Sequence, residues 1–288
     1  MRRALLFVLF GLLAGATALG QGLANPFDVG LGVRAMGLGG AYTALAEGSE
    51  ALLANPAGLA WVPSLQADST VTNVLNLYTV GWLAGALPGW GAGLTYLSVG
   101  GIADPAEDPL TFSTFGLVLG FGLDARRIPF LSGLFPFPTA VGLALKYHQI
   151  TVADASGSGI ALDIGLLGRL STPFGEVRAG LTIRELGFGA RLGERDEGWS
   201  TDLALGAAWI HPSGLLGVLD LSTDYLAVGL GWALFRELEV RGGVRLQGGL
   251  VQWSLGLGVR WQAFAVDYAL LTHPWLAPSH RFGFGVSF

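Results

Sequence analysis

Val251-Gln252-Trp253-Ser254-Leu255-Gly256-Leu257-Gly258-Val259-Arg260-Trp261 sets a bulky apolar residue at every second position and a small or polar one between. That period is a β-strand's, whose successive side chains leave on opposite faces. Here one face is oily and the other small or wet. The strand before it opposes Leu238, Val240, Val244 and Leu246 to Glu239, Arg241, Arg245 and Gln247. The strand after it opposes Phe264, Val266, Tyr268 and Leu270 to Ala263, Ala265, Asp267 and Ala269, and the chain closes with Phe282, Phe284, Val286 and Phe288 on one face. Upstream, Val141, Leu143, Leu145 and Tyr147 alternate with Gly142, Ala144, Lys146 and His148, and Val177, Ala179, Leu181 and Ile183 with Arg178, Gly180, Thr182 and Arg184. From Leu65 onward the rule yields about fourteen strands of roughly 9 to 12 residues, the length that crosses a bilayer at a barrel's tilt. The first, over 65–74, is the weakest.

Composition narrows the surroundings. Hydrophobic residues make up 51% of the 288 and charged residues only 13%, with 46 Gly, 9 Trp and 16 Phe, too apolar and too glycine-rich for an ordinary soluble domain. No window after residue 20 holds the roughly 18 uninterrupted apolar residues of a spanning helix, so a closed barrel is the remaining way to satisfy the backbone in lipid. A soluble sandwich also alternates, but with a polar outward face and a bulky inward one. The non-bulky face here is Gly and Ala with scattered charge, which suits a narrow lumen packed against a plug. The reading is an all-β membrane protein: an antiparallel transmembrane barrel of about fourteen strands (64–288), preceded by an N-terminal hatch inside the lumen (21–63) and a signal peptide (1–20).

Met1-Arg2-Arg3 and the apolar stretch 4–16 have the basic and hydrophobic regions of a secretory signal, with Ala16-Thr17-Ala18 and Ala18-Leu19-Gly20 as small-x-small sites, so that the mature chain begins at Leu19 or Gln21. A retained anchor is the alternative, but the segment is short for spanning. Losing Arg2 and Arg3 takes the formal net charge from −5 to −7, an acidity that argues against a nucleic-acid role. Cysteine is absent, which excludes disulfides, thiolate metal sites and Cys nucleophiles.

Residues 33–60 break the period-two rule. Compact, small-residue and interrupted by Asn55-Pro56, they read as a plug, with Gly37, Gly39 and Gly40 marking backbone that turns tightly and passes close to a wall. Alternate connections differ in length as in outer-membrane barrels, whose periplasmic turns are short. Outward loops are expected at 100–110, 151–158, 187–198 and 272–279, and inward turns at 87–89, 171–175, 211–214, 236–237 and 261–262. The exception is 124–138, with Arg126-Arg127 and Phe130, Leu131, Leu134 and Phe135, which falls on the inner side and predicts a short amphipathic segment at the membrane interface. An even strand count leaves both termini in the periplasm. Trp90, Trp209 and Trp261 then mark the inner rim and Tyr78, Tyr96, Tyr147 and Trp199 the outer, whereas Trp82 and Trp232 fall mid-strand.

Plug and strands together resemble the PorV/PorQ-type (UPF0164) branch of the FadL-like outer-membrane barrels, over nearly the whole mature chain. The resemblance rests on Arg34, Gly37-Leu38-Gly39-Gly40-Ala41 and Asn55-Pro56-Ala57-Gly58-Leu59, with weaker echoes at 142–147, 161–167 and 266–269. It implies a fourteen-stranded barrel closed by a hatch, as in channels for hydrophobic substrates, and in the PorV branch a role as assembly or attachment partner for secreted proteins. The outer loops here are shorter than in FadL transporters, which carry large ones, and this departs from long-chain fatty acid specificity.

Catalytic and metal chemistry find little support. Gly30-x-Gly32 and Gly37-x-Gly39-Gly40 resemble dinucleotide loops in spacing only, with no preceding strand and no βαβ unit. His148, His211, His273 and His280 lack paired ligand spacing, and no Gly-x-Ser-x-Gly elbow exists. No cofactor and no enzymatic activity is expected. What remains is inward charge at two heights: Lys146, Asp163, Arg184, Asp202, Asp224, Arg245 and Arg281 toward the outer end, Arg169, Arg178, Glu239 and Arg260 toward the periplasm, with Arg241 and Asp267 also inward. They read either as a structural network holding the hatch or as a polar filter whose lower arginines grip Glu47 and Glu50, with Arg34 pairing an inward carboxylate such as Asp267. Two functions follow: a monomeric, lipid-embedded barrel passing small hydrophobic or amphipathic molecules, or a sealed barrel binding a secreted or envelope protein.

Overall fold

The computed structural model describes residues 26–27, 32–102, 110–152, 155–192, 195–197 and 200–288. The expected signal peptide and most of the lead-in to residue 32 lie outside the described residues, as does Trp199. Fourteen strands form one closed antiparallel barrel. In chain order they are β1 (Gln66–Val74), β2 (Tyr78–Leu87), β3 (Trp90–Ile102), β4 (Leu110–Asp124), β5 (Thr139–Val152), β6 (Ala155–Thr172) and β7 (Gly175–Phe188), then β10 (Asp202–Ile210), β11 (Leu215–Ser222), β12 (Tyr225–Ala233), β13 (Leu238–Gln247), β14 (Leu250–Trp261), β15 (Phe264–Leu271) and β16 (Ser279–Ser287). Between β7 and β10 a small separate ladder joins β8 (Ala190–Leu192) and β9 (Arg195–Glu197). Closure is made by β1 and β16, in register from Gln66↔Ser287 to Asn73↔His280. The strand whose alternation is weakest therefore forms full ladders on both sides, because backbone pairing is indifferent to its polar side chains.

Outward positions carry the bulky residues and remain exposed: Leu83 and Leu94, Leu143 and Leu145, Leu230, Trp253 and Leu255. An apolar wall of this kind is stable against lipid and not against water. The two ends of the barrel are unequal. Leu65 and Phe288 meet at one end, where the Phe288 amide donates to the Leu65 carbonyl at 2.9 Å; this terminal end carries the connections 88–89, 125–138, 173–174, 211–214, 234–237 and 262–263. At the distal end, 223–224 and 248–249 are as short as any terminal turn and 75–77 is one residue longer, and the expected loop at 151–158 is mostly strand, since β5 and β6 pair down to Val152↔Ala155.

That asymmetry corrects the aromatic belts. β3 to β7 are 13 to 18 residues long and β10 to β16 only 8 to 12, so the wall rises higher on one side and Tyr96 and Tyr147 lie within strands that continue past them. At the terminal end Trp90, Trp209 and Trp261 are exposed at strand ends, and Trp232 joins them because β12 stops at Ala233. Trp82 is instead buried on the inner face of β2.

Inside the ring runs the N-terminal segment 32–63: a helical turn Val33–Gly37, a 3-10 turn Gly48–Glu50, a second helical turn Ala51–Ala54 and the 3-10 stretch Pro56–Trp61. Helices this short have no stability of their own in water; burial holds them. The segment touches inner faces all round the barrel, with Leu52 against Gly91 and Gly120, Pro56 against Gly142 and Gly165, Thr43 and Ala44 against Gly180 and Gly206, and Leu38 against Gly229 and Gly243. A Cβ on Gly206 would sit 2.6 Å from the Ala44 nitrogen, and one on Gly229 2.6 Å from the Leu38 oxygen. The inner face is small because another backbone lies against it.

Candidate functional site

The contact between segment and wall is polar as well as close. Asn55 precedes a proline at the first position of the 3-10 stretch, where its side chain is placed to cap. Its Oδ1 accepts from the Ala57 amide at 3.2 Å, while Nδ2 donates to the carbonyls of Thr43 at 3.0 Å and of Leu166 on β6 at 3.1 Å. One buried side chain thus turns the segment, ties it to itself and ties it to the barrel. Gly39 and Gly40 take φ of +73° and +87°, and Gly58 packs on the Ala46 carbonyl. Gly37, Gly39 and Gly58 therefore sit where backbone passes backbone, and Gly40 lies against the Arg245 side chain.

A chain of ions crosses the terminal side. Glu176 pairs with Arg178 at 2.5 Å, Arg178 with Glu47 at 2.6 Å, Glu47 with Arg34 at 2.7 Å and Arg34 with Glu239 at 3.5 Å. Glu239 continues to Arg241 at 2.9 Å and Arg260 at 3.1 Å, and Arg241 to Asp267 at 2.7 Å. Arg169 stacks on the Trp61 ring, 4.5 Å from its centroid. Arg34 therefore takes Glu239 and Glu47, not Asp267, whose carboxylate is held by Arg241. Glu47 is gripped by the wall's Arg178, whereas Glu50 lies under the charges of Arg241 and Arg281, its Oε1 accepting the Arg34 backbone amide at 3.2 Å and its Oε2 buried with no hydrogen-bond partner among the described residues. Burial alone raises the Glu47 carboxyl, yet Arg34 and Arg178 outweigh it and hold the group below the ordinary carboxylate range. Burial, reinforced by the like charge of Asp267, pushes Glu50 up to about 7.

On the distal side Lys146 pairs with Asp163 at 2.8 Å and Glu185 at 3.5 Å, and Arg184 pairs with Asp202 and donates to the Tyr225 hydroxyl at 3.0 Å. The Arg245 guanidinium lies 3.9 Å from the Tyr225 ring centroid. Arg281 donates to the Gly32 carbonyl at 3.4 Å. Asp224 belongs to the turn between β11 and β12, its amide donating to Ser222 Oγ, at the rim and within reach of the inward charges Asp202, Arg184 and Arg245.

Sequence reasoning missed three contributors. Asp220 accepts the Tyr42 and Thr43 amides, each at 2.9 Å, and is the carboxylate that seats the middle of the segment. Period two places it inward with Val218, so the signal was present. Asp68 on β1 accepts from Ser49 at 2.6 Å. Glu185 was invisible to alternation because it follows inward Arg184: between Leu162↔Leu186 and Ile164↔Ile183 strand β7 spends an extra residue, and Glu185 takes φ of +61°. The bulge turns two consecutive side chains into the lumen.

Solved structures share this architecture. The toluene transporter TodX of Pseudomonas putida superposes with a TM-score of 0.57 at 12% identity, covering 89% of this chain and 96% of that one. A FadL homologue of Pseudomonas aeruginosa gives 0.53 at 11% identity, covering 94% and 99%. The fold is that of the FadL-type barrels. No family model and no curated protein sequence matches the chain. At such identities the FadL-type likeness speaks for architecture, and the residues of the site carry any reading of function.

Proposed function

We propose that this chain is a bacterial outer-membrane barrel of FadL/PorV type, with its terminal end in the periplasm, that passes small hydrophobic or amphipathic solutes when segment 32–63, acting as a hatch, shifts within the ring. The observation that supports it is how the segment is held: by the separable ion pairs Arg34–Glu239 and Glu47–Arg178 and the hydrogen bonds to Asp220, in a chain with no cysteine to lock it. The solved barrels of this fold include the toluene transporter TodX, which is consistent with an apolar solute here. A second reading, a sealed barrel that docks a secreted or envelope protein, is favoured by the direct packing of inner glycines against the segment's backbone.

Reconstituted into liposomes, the protein is expected to accelerate uptake of a hydrophobic fluorescent probe, and removal of residues 21–60 to raise conductance across planar bilayers. Unchanged permeability in both assays would overturn transport. Cross-linking in native membranes decides the rival: a stable protein adduct supports it, bare barrel counts against it.

A further inference from the structure

The connection between β4 and β5 does not hang free from the terminal rim. After Asp124 a 3-10 turn, Ala125–Arg127, leads into successive turns, and the segment then folds back over the outside of the barrel. The Phe137 ring covers Gly168 of β6, where an added Cβ would lie 2.7 Å from it, and the Thr139 hydroxyl donates to the Phe137 carbonyl at 3.0 Å. Gly168 shares its face with Ile164 and Leu170, which are exposed on the apolar outer wall. Phe137 therefore lies on the wall's outer side. Beyond it Phe130 and Leu134 are 82% and 64% exposed, and Phe174 of the neighbouring hairpin is 75% exposed. Arg126 is folded onto Asp124, at 2.7 and 3.0 Å, and Arg127 is exposed beside it.

We propose that residues 128–137 form a foot that lies in the interfacial layer of the bilayer leaflet at the terminal end, with Phe130 and Leu134 among the upper acyl carbons and Arg127 at the level of the lipid phosphates. The occupant follows from continuity: the foot is seated on the same outer face that carries Ile164 and Leu170, so whatever bathes that wall bathes the foot. Aromatic and leucine side chains beside arginine are the composition of segments that lie in this layer. A foot fixed on one sector of the rim sets the tilt of a barrel whose wall is taller over β3 to β7, because it anchors that sector at headgroup depth. The proposal rests on the reading that the outer wall faces lipid.

The chain has no cysteine, so full-length protein carrying Phe130→Cys can be labelled once with an environment-sensitive fluorophore and reconstituted in phosphatidylcholine–phosphatidylglycerol vesicles. Leu230→Cys on the outer wall and Glu237→Cys in the β12–β13 turn serve as lipid and water references. The expected result is a label at 130 quenched several-fold more by lipids with a shallow nitroxide than by deep ones, and shielded from iodide relative to 237. Iodide access equal to that at 237 would overturn the proposal. Protection from both quenchers would also overturn it, as the mark of a protein covering the foot. If the label at 230 resists lipid quenching too, the membrane reading itself fails, which separates the two ideas.

Discussion

Two carboxylates inside the ring, Glu50 on the enclosed segment and Asp220 on β11, meet the segment's backbone differently. Asp220 receives two backbone amides, so its truncation strands two buried donors; Asp220→Ala is expected to weaken seating of the segment by about 2–4 kcal/mol. Hydrogen exchange at Tyr42 and Thr43 is the measure, and protection equal to wild type would show that the carboxylate is not the seat. Glu50 instead keeps its proton up to about neutral pH. Its carboxyl is raised to about 7 in the fold from an ordinary 4.5, so the native state keeps a proton that the unfolded chain releases from about pH 4.5 upward. Its contribution to stability is then greatest below pH 4.5, falls as pH rises, and is lost above about 7. Glu50→Gln should remove that slope and raise stability at pH 8 by about 1–3 kcal/mol, read from thermal or urea unfolding at pH 5 and pH 8. An unchanged slope would place the titration elsewhere.

Among the elements, β7 departs from regular geometry at a bulge. Its bulge sets Glu185 in the left-handed region, where a side chain with a Cβ is disfavoured, and the cost is tolerated because the Glu185 amide donates to Asp163 at 2.8 Å while its carboxylate meets Lys146. Glycine and alanine at this position both delete the ion pair, but glycine accepts the backbone. Glu185→Gly should therefore be more stable than Glu185→Ala by about 1 kcal/mol in urea titrations; the reverse order would mean that the positive φ is not the constraint. The element also shows where alternation stops being informative. A strict period of two turns Arg184 in and Glu185 out, and nothing in Thr182-Ile183-Arg184-Glu185-Leu186 announces the extra residue. The loop expected at 151–158 gives way to strand for a related reason: polar residues there suit a loop and the edge of a long hairpin equally well.

For the whole molecule the decisive relation is between a ring of small inner residues and the backbone it encloses. Gly206→Val puts carbon where Ala44 passes, so the segment is expected to be displaced while the strand ladder, whose hydrogen bonds are untouched, persists. Conductance should rise and heat-modifiable electrophoretic migration, a mark of a folded barrel, should be retained. A closed barrel with unaltered conductance would show that the ring adapts to the extra volume.

The outward half of this protein is written locally. Each strand's bulky residues, the polar turns and the break at 33–60 follow from neighbours in the chain, because a side chain's choice between lipid and lumen depends on strand period alone. The inward half is settled only by closure. That Arg34 meets Glu239 and not Asp267, that Asp220 seats residues 42 and 43 from 178 and 177 positions away, and that Glu50 comes under the like charge of Asp267 depend on which strands stand opposite each other across the ring. Strand number and register fix those distances, and no local pattern encodes them.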